Sequence, residues 1–247
     1  MNYKNFHLRL IGFWLCLIVF SLGIRAAEEL PFEKDIAAYE KKFQENPPAE
    51  NSTFFVGSST WTLWGKQLEE DFASLQAVNT GFGGATIPDL LRAVDRIVIP
   101  HKPKRILFFC GGNDVARKME PGVVLDNFKK YLAKIWAVNP LCEVYFVSIT
   151  QAPARKEFWP QTRQLNDEIR QLAEKLDGLY FIDTRPAMSD ENGDIREDLF
   201  LSDRLHLNRQ AQEIWIPIIL DAVKNVTEKR EKREKRDVTP ALNVIQL

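Results

Sequence analysis

Two separated stretches of the chain, Gly57-Ser58-Ser59 and Asp203-Arg204-Leu205-His206, hold the residue types of nucleophilic acyl transfer. A serine hydroxyl is a weak nucleophile until a base removes its proton, and an imidazole does this near neutral pH. A carboxylate on the other ring nitrogen fixes the tautomer and stabilises the imidazolium. Asp203 stands three residues before His206, so one loop can present both. The chain has three histidines. His7 falls in an N-terminal apolar stretch and His101 in a proline-flanked loop before a strand. Only His206 is left to serve as the base for Ser59.

A tetrahedral intermediate also needs preorganised donors for its oxyanion. The backbone N–H of Ser59, the backbone N–H of Gly84 and the side-chain amide of Asn113 are the candidates. Glycine suits the second position if a side chain would block the substrate there, and the Asn113 amide donates without changing charge. Gly81 and Gly83 read as tight-turn residues, and Asp114 as a cap or structural acceptor.

These residues need a scaffold that brings four distant segments together. Short, continuously apolar runs alternate with helical spacing along the chain. Strands are expected at Thr53–Val56, Gln76–Asn79, Arg105–Cys110, Glu143–Ile149 and Leu179–Ile182. Helices are expected over Phe32–Phe43, Trp61–Phe72, Pro88–Val98, around Val124–Ile135 and Leu165–Leu176, and after Asn208, which can cap the last one. Pro217 should kink or delimit that helix. Alternating strands and helices, with no polar face on the strands, predict a three-layer α/β/α sandwich of about five parallel strands. Ligands of such sheets sit beyond the carboxyl ends of the strands. Gly57–Trp61, Asn79–Gly84 and Gly111–Asp114 each follow a strand, and Ser202–His206 precedes the last helix.

The formal net charge of the 247 residues is -1, which gives no basic surface for nucleic acid. Lys4 and Arg9, the apolar run Ile11–Ile24, and Ala26-Ala27 follow the order of a secretory signal peptide. The run is shorter than the ~20 residues of a comfortable membrane span. The expected organisation is therefore a signal peptide or N-terminal anchor over 1–27, a single α/β domain over 28–226 and a charged tail over 227–247, in an exported protein, periplasmic or secreted. Residues 227–236 (TEKREKREKR) read as a solvated helix extension leading into a loose tail. Cys110 ends one strand and Cys142 begins the next parallel one, so both are expected as free thiols.

The four segments resemble the blocks of the SGNH (GDSL-like) hydrolase superfamily. Its Gly-Asp-Ser block matches Gly57-Ser58-Ser59, which selects Ser59 over Ser58 as nucleophile. Its second-block glycine matches Gly84, its Gly-x-Asn-Asp block matches Gly111 to Asp114, and its Asp-x-x-His block matches Asp203 to His206. Ser58 departs from the usual aspartate, and a Gly-Ser-Ser subset with a nearby Trp is more similar. The resemblance runs from about Thr53 to Lys224. It implies a flavodoxin-like fold and ester hydrolysis through an acyl-enzyme, with no cofactor and no metal. Substrates across the family include acyl lipids, thioesters and acetylated carbohydrates. No large lid insertion is visible, which favours a small ester or an acetylated carbohydrate. A lysophospholipase-like acyl or thioester hydrolase is the alternative, and an inactive carbohydrate-binding module on the same fold is the non-enzyme rival. Trp61, Phe82, Phe158 and Trp159 are candidates for either the cleft or the core.

Trp61 replaces the second glycine of Gly-x-Ser-x-Gly, which disfavours an ordinary α/β-hydrolase elbow. Thr86 stands where a dinucleotide fingerprint needs its last glycine.

Overall fold

In the computed structural model, residues 30–243 are described, with side chains to Lys232. The signal or anchor segment expected over 1–27 lies outside the described residues. Five strands, β1 Thr53–Gly57, β2 Ala77–Gly81, β3 Arg105–Phe109, β4 Glu143–Val147 and β5 Leu179–Ile182, form one sheet. Its order is β2-β1-β3-β4-β5, every pair parallel.

The apolar runs form strands because both faces of each are covered. Along β1, β3 and β4 every residue is buried. Alternate side chains go to opposite layers. Phe54, Val56, Ile106, Phe108, Val144 and Phe146 face one cluster. That cluster takes residues of helices α1 (Glu33–Glu45), α4 (Ile87–Ile97), α6 (Pro121–Val138) and α7 (Trp159–Ala173). Phe55, Leu107, Phe109, Tyr145 and Val147 face the other. It includes Trp61 and Trp64 of α2 (Ser59–Trp64), Leu68 of α3 (Gln67–Asp71), and Trp215 and Ile219 of α8 (Arg209–Asn243). A short helix, α5 (Gly112–Ala116), follows β3.

Gly57 is level with both Gly81 and Phe109, so the three strands end together. The sheet order reverses direction between β1 and β3, where a crevice opens beyond the strand ends. This register delivers the loops after β1 and β3 side by side.

Several local expectations are corrected. Trp61–Phe72 is not one helix, because Gly65 adopts φ 64° and separates α2 from α3. Gly81 is not a turn residue. It ends β2, where a Cβ would stand 2.7 Å from the Thr62 backbone nitrogen, so its bareness lets α2 approach the strand. Asn208 caps the last helix as expected, its Oδ1 accepting the Ala211 N–H at 3.1 Å. That helix does not stop at Pro217 but continues to Asn243, passing position 226. Nor is its extension wholly solvated, since the Arg230 guanidinium donates to buried Glu143 at 2.7 Å. Cys110 and Cys142 are free and buried.

Candidate active site

Ser59 is positioned by a backbone crossing that only glycine permits. A Cβ on Gly57 would lie 2.1 Å from the Phe109 carbonyl oxygen. The next residue, Ser58, donates its N–H to that carbonyl at 3.1 Å, fixing the turn to β3. Ser58 precedes α2 and Ser59 is its first residue. The Ser59 N–H therefore has no earlier turn of helix to bond.

His206 arrives from the other end of the chain. Its loop is closed by a bridge between Phe200 and Leu207, and the Leu201 N–H donates to the His206 carbonyl at 2.7 Å. The imidazole Nε2 lies 2.9 Å from Ser59 Oγ, and Nδ1 lies 2.7 Å from Asp203 Oδ2. The second Asp203 oxygen accepts the N–H groups of Leu205 at 2.9 Å and His206 at 3.0 Å. The His206 backbone N–H, its imidazole and the Leu205 N–H together hold the Asp203 carboxyl down at about 2. With a carboxylate on Nδ1, the neutral ring carries its proton there and leaves the Nε2 lone pair facing the serine.

Asn113, on α5, borders the same cleft as Ser59 and His206. Its Nδ2 donates to the Ala85 carbonyl at 2.9 Å, and its Oδ1 accepts from Arg155 at 2.6 Å. Asp114 is a structural acceptor, as expected. Its two carboxyl oxygens lie 3.0 and 3.2 Å from the Ile87 N–H at the start of α4. Burial pushes that carboxyl up to about 6, against the lowering effect of the Ile87 N–H.

Gly84 is next to Ala85, but it is not among the residues bordering the cleft. Its carbonyl accepts from Arg117 at 3.1 Å. A Cβ there would meet no protein atom within 4 Å; φ of 81° is what calls for glycine. The structural reason is backbone conformation rather than crowding within the protein.

Of the four aromatic candidates, Trp159 lines the cleft. Its indole N–H donates to the Ala152 carbonyl at 2.9 Å. Trp61 and Phe82 are core residues, 0% and 2% exposed. Phe158 packs partly against the core and borders a separate groove beside Met119.

Sequence reasoning missed the cleft wall that follows β4, which includes two polar side chains. Thr150 and Arg155 both come after β4, whose trailing loop offers no cluster of Gly, Asn, Asp or His to draw notice. Their position was the available signal. In a parallel sheet β4 ends at the same edge as β3, so its trailing loop must border the cleft as well.

The cleft is small, about 50 Å³. A larger groove of about 560 Å³ runs along β5 without a serine or histidine in its walls. Among the described residues no three His, Cys, Asp or Glu side chains are grouped to hold a metal ion, and no helix is long and apolar enough to cross a membrane.

The sequence model of the GDSL-like lipase/acylhydrolase family matches residues 49–214. No curated protein matches the chain in sequence. Solved structures do. A protein from Streptococcus pneumonia, described as a candidate platelet activating factor, superposes with a TM-score of 0.68 at 21% identity, over 76% of this chain and 91% of its own. A GDSL-like lipase from Bacteroides thetaiotaomicron gives 0.65 at 20% identity, over 77% and 99%. A catalytic mutant of an acetylxylan esterase from Geobacillus stearothermophilus gives 0.54 at 18% identity, over 71% and 95%. At these identities the likeness is one of fold.

Proposed function

Because the chain belongs to the GDSL-like lipase/acylhydrolase family, we propose that it is an exported serine esterase in which Ser59, His206 and Asp203 cleave small acyl esters. One observation carries the reading: the contact of 2.9 Å between Ser59 Oγ and His206 Nε2, with Asp203 on the far side of the ring.

The steps follow from that contact. His206 Nε2 takes the hydroxyl proton as Ser59 Oγ attacks the ester carbonyl carbon. Negative charge collects on the carbonyl oxygen; we assign to it the Ser59 N–H and the Asn113 amide, which border the cleft, and, from the resemblance of the glycine block, the N–H of Gly84, the residue before the Ala85 that holds the Asn113 amide. The tetrahedral centre collapses, the alcohol leaves with the proton from His206, and Ser59 holds the acyl group. Water, deprotonated by His206, repeats the sequence and releases the acid. Asp203 holds the ring and stabilises its charged form throughout.

A cleft of only about 50 Å³ supports a short acyl group such as acetyl over a long chain. Trp159 on the wall is an aromatic side chain of the type that sugar rings stack on. An acetylxylan esterase shares the fold. We therefore favour an acetylated carbohydrate over a long-chain lipid or thioester. Export rests on the N-terminal order of positive charge, apolar run and paired alanines.

The test is a panel of acetyl, butyryl and long-chain p-nitrophenyl esters alongside acetylated polysaccharide, using protein from which residues 1–27 have been removed. Acetyl turnover above the longer chains, with acetate released from the polysaccharide, is the expected result. A protein that binds glycans and turns over no ester would instead be a binding module. Preference for long chains would make it a lipid acylhydrolase.

A further inference from the structure

Arg155 stands in the cleft with no role in the steps above. Its side chain is half-buried, and no carboxylate lies within ion-pair distance of it among the described residues. It packs beside Gly112, where a Cβ would stand 3.3 Å from the guanidinium. Burying a cation without a counter-charge is costly, and desolvation lowers its pKa from the ordinary value. The guanidinium donates instead to Asn113 Oδ1, at 2.6 Å.

That contact fixes more than a distance. Arginine has no acceptor and a carbonyl has no donor. Arg155 can therefore bond only the oxygen of the Asn113 amide, and the Ala85 carbonyl only its nitrogen. The two partners leave one orientation of the amide. One N–H of Nδ2 goes to Ala85, and the other remains for the cleft that Asn113 borders. A flipped amide would turn its oxygen toward a developing oxyanion and repel it. A cation on Oδ1 also polarises the amide and makes its N–H a stronger donor.

The segment holding Arg155 is tied to the base as well. The Ala154 N–H donates at 2.9 Å to the carbonyl of Arg204, inside the loop of Asp203 and His206. The Arg155 N–H donates to the Ala152 carbonyl, which also receives the Trp159 indole.

We propose that Arg155 is a positioning residue for oxyanion stabilisation, acting through the Asn113 amide that it orients and polarises. The inference rests on the esterase reading above.

A double-mutant cycle on the full chain tests it, with p-nitrophenyl acetate as substrate. Arg155→Met should lower kcat by ~10–100-fold, the range expected for losing a hydrogen bond to a charged group, and leave KM within about 3-fold. In an Asn113→Ala background the same change should cost less than about 3-fold, because the group it acts through is gone. The full loss persisting without Asn113 overturns the proposal. So does a raised KM with unchanged kcat, which would mark Arg155 as a substrate clamp. Should Arg155→Met fail to fold, Arg155→Lys keeps the charge and N–H donors on a single nitrogen. Its smaller loss should vanish in the same background, and a loss that persists there overturns the proposal equally. The side-chain amide of Asn113, followed by 15N NMR, gives a readout without turnover. Its signals should move or broaden when Arg155 is replaced, and unchanged signals overturn the inference. A wild type that hydrolyses no ester would defeat the esterase reading instead, with the amide signals still reporting on Arg155.

Discussion

Ser59 Oγ and His206 Nε2 stand 2.9 Å apart across 147 positions of sequence. The sheet spans most of that distance: β1 delivers the serine, and α8 begins where the histidine loop ends. Replacing Ser59 by alanine should lower kcat by at least ~10³-fold while preserving the fold. A fluorophosphonate probe should label the wild type at Ser59 and leave Ser59→Ala unlabelled. Labelling elsewhere, or turnover that survives the substitution, would remove the nucleophile assignment.

Asp203 is held at about 2 by donors that need its charge, against an ordinary 3.8. A folded value below the unfolded one means its contribution to stability is present above pH ~4 and lost as pH falls toward 2. The group is largely exposed, so that contribution is small. Its catalytic contribution should be large. Asp203→Asn is expected to keep the fold and lose ~10³–10⁴-fold in kcat, because the amide favours the wrong imidazole tautomer. Asp203 stays ionised throughout the working range, so it cannot be the source of an acid limb in kcat/KM above pH 4. A limb that the asparagine variant abolishes, rather than shifts, would contradict this.

Asp114 behaves in the opposite sense. Its carboxyl is raised to about 6 by burial, so its contribution to stability is full below pH ~4 and declines as pH rises through 6. Asp114→Asn retains an acceptor for the Ile87 N–H and removes the titration. The melting temperature of the variant should gain on the wild type between pH 4 and 7. Parallel curves would show that Asp114 does not titrate in that window.

Gly57→Ala would force a Cβ into the Phe109 carbonyl oxygen at 2.1 Å. Backbone lies on both sides of the clash, so β1 and β3 must separate where the crevice forms. A cost of about 1–3 kcal/mol is expected, which at this chain length lowers Tm by roughly 2–12 °C. Activity should fall further than stability alone explains, because Ser59 rides on the displaced turn. Calorimetry together with acetate-ester kinetics decides this; unchanged Tm would mean the crossing is looser than described.

The layered α/β fold, the serine turn, the histidine loop and the structural role of Asp114 are all legible in residue order. They rest on local rules. A doubly buried strand must be apolar throughout, and a nucleophile, its base and the carboxylate must be specific residue types. His206 could be singled out because only three histidines exist. Other features emerge only from packing in three dimensions. Trp61 looks like a cleft residue beside the nucleophile, yet the helix it sits on turns it into the core. Gly81 looks like a turn, yet it is bare because α2 passes over it. Arg155 has no local signature at all. Its meaning comes from an amide 42 positions away, reached only when α5 and the loop after β4 fold against one another. Such contacts depend on how elements pack, and packing partners are not written in the spacing of any one segment.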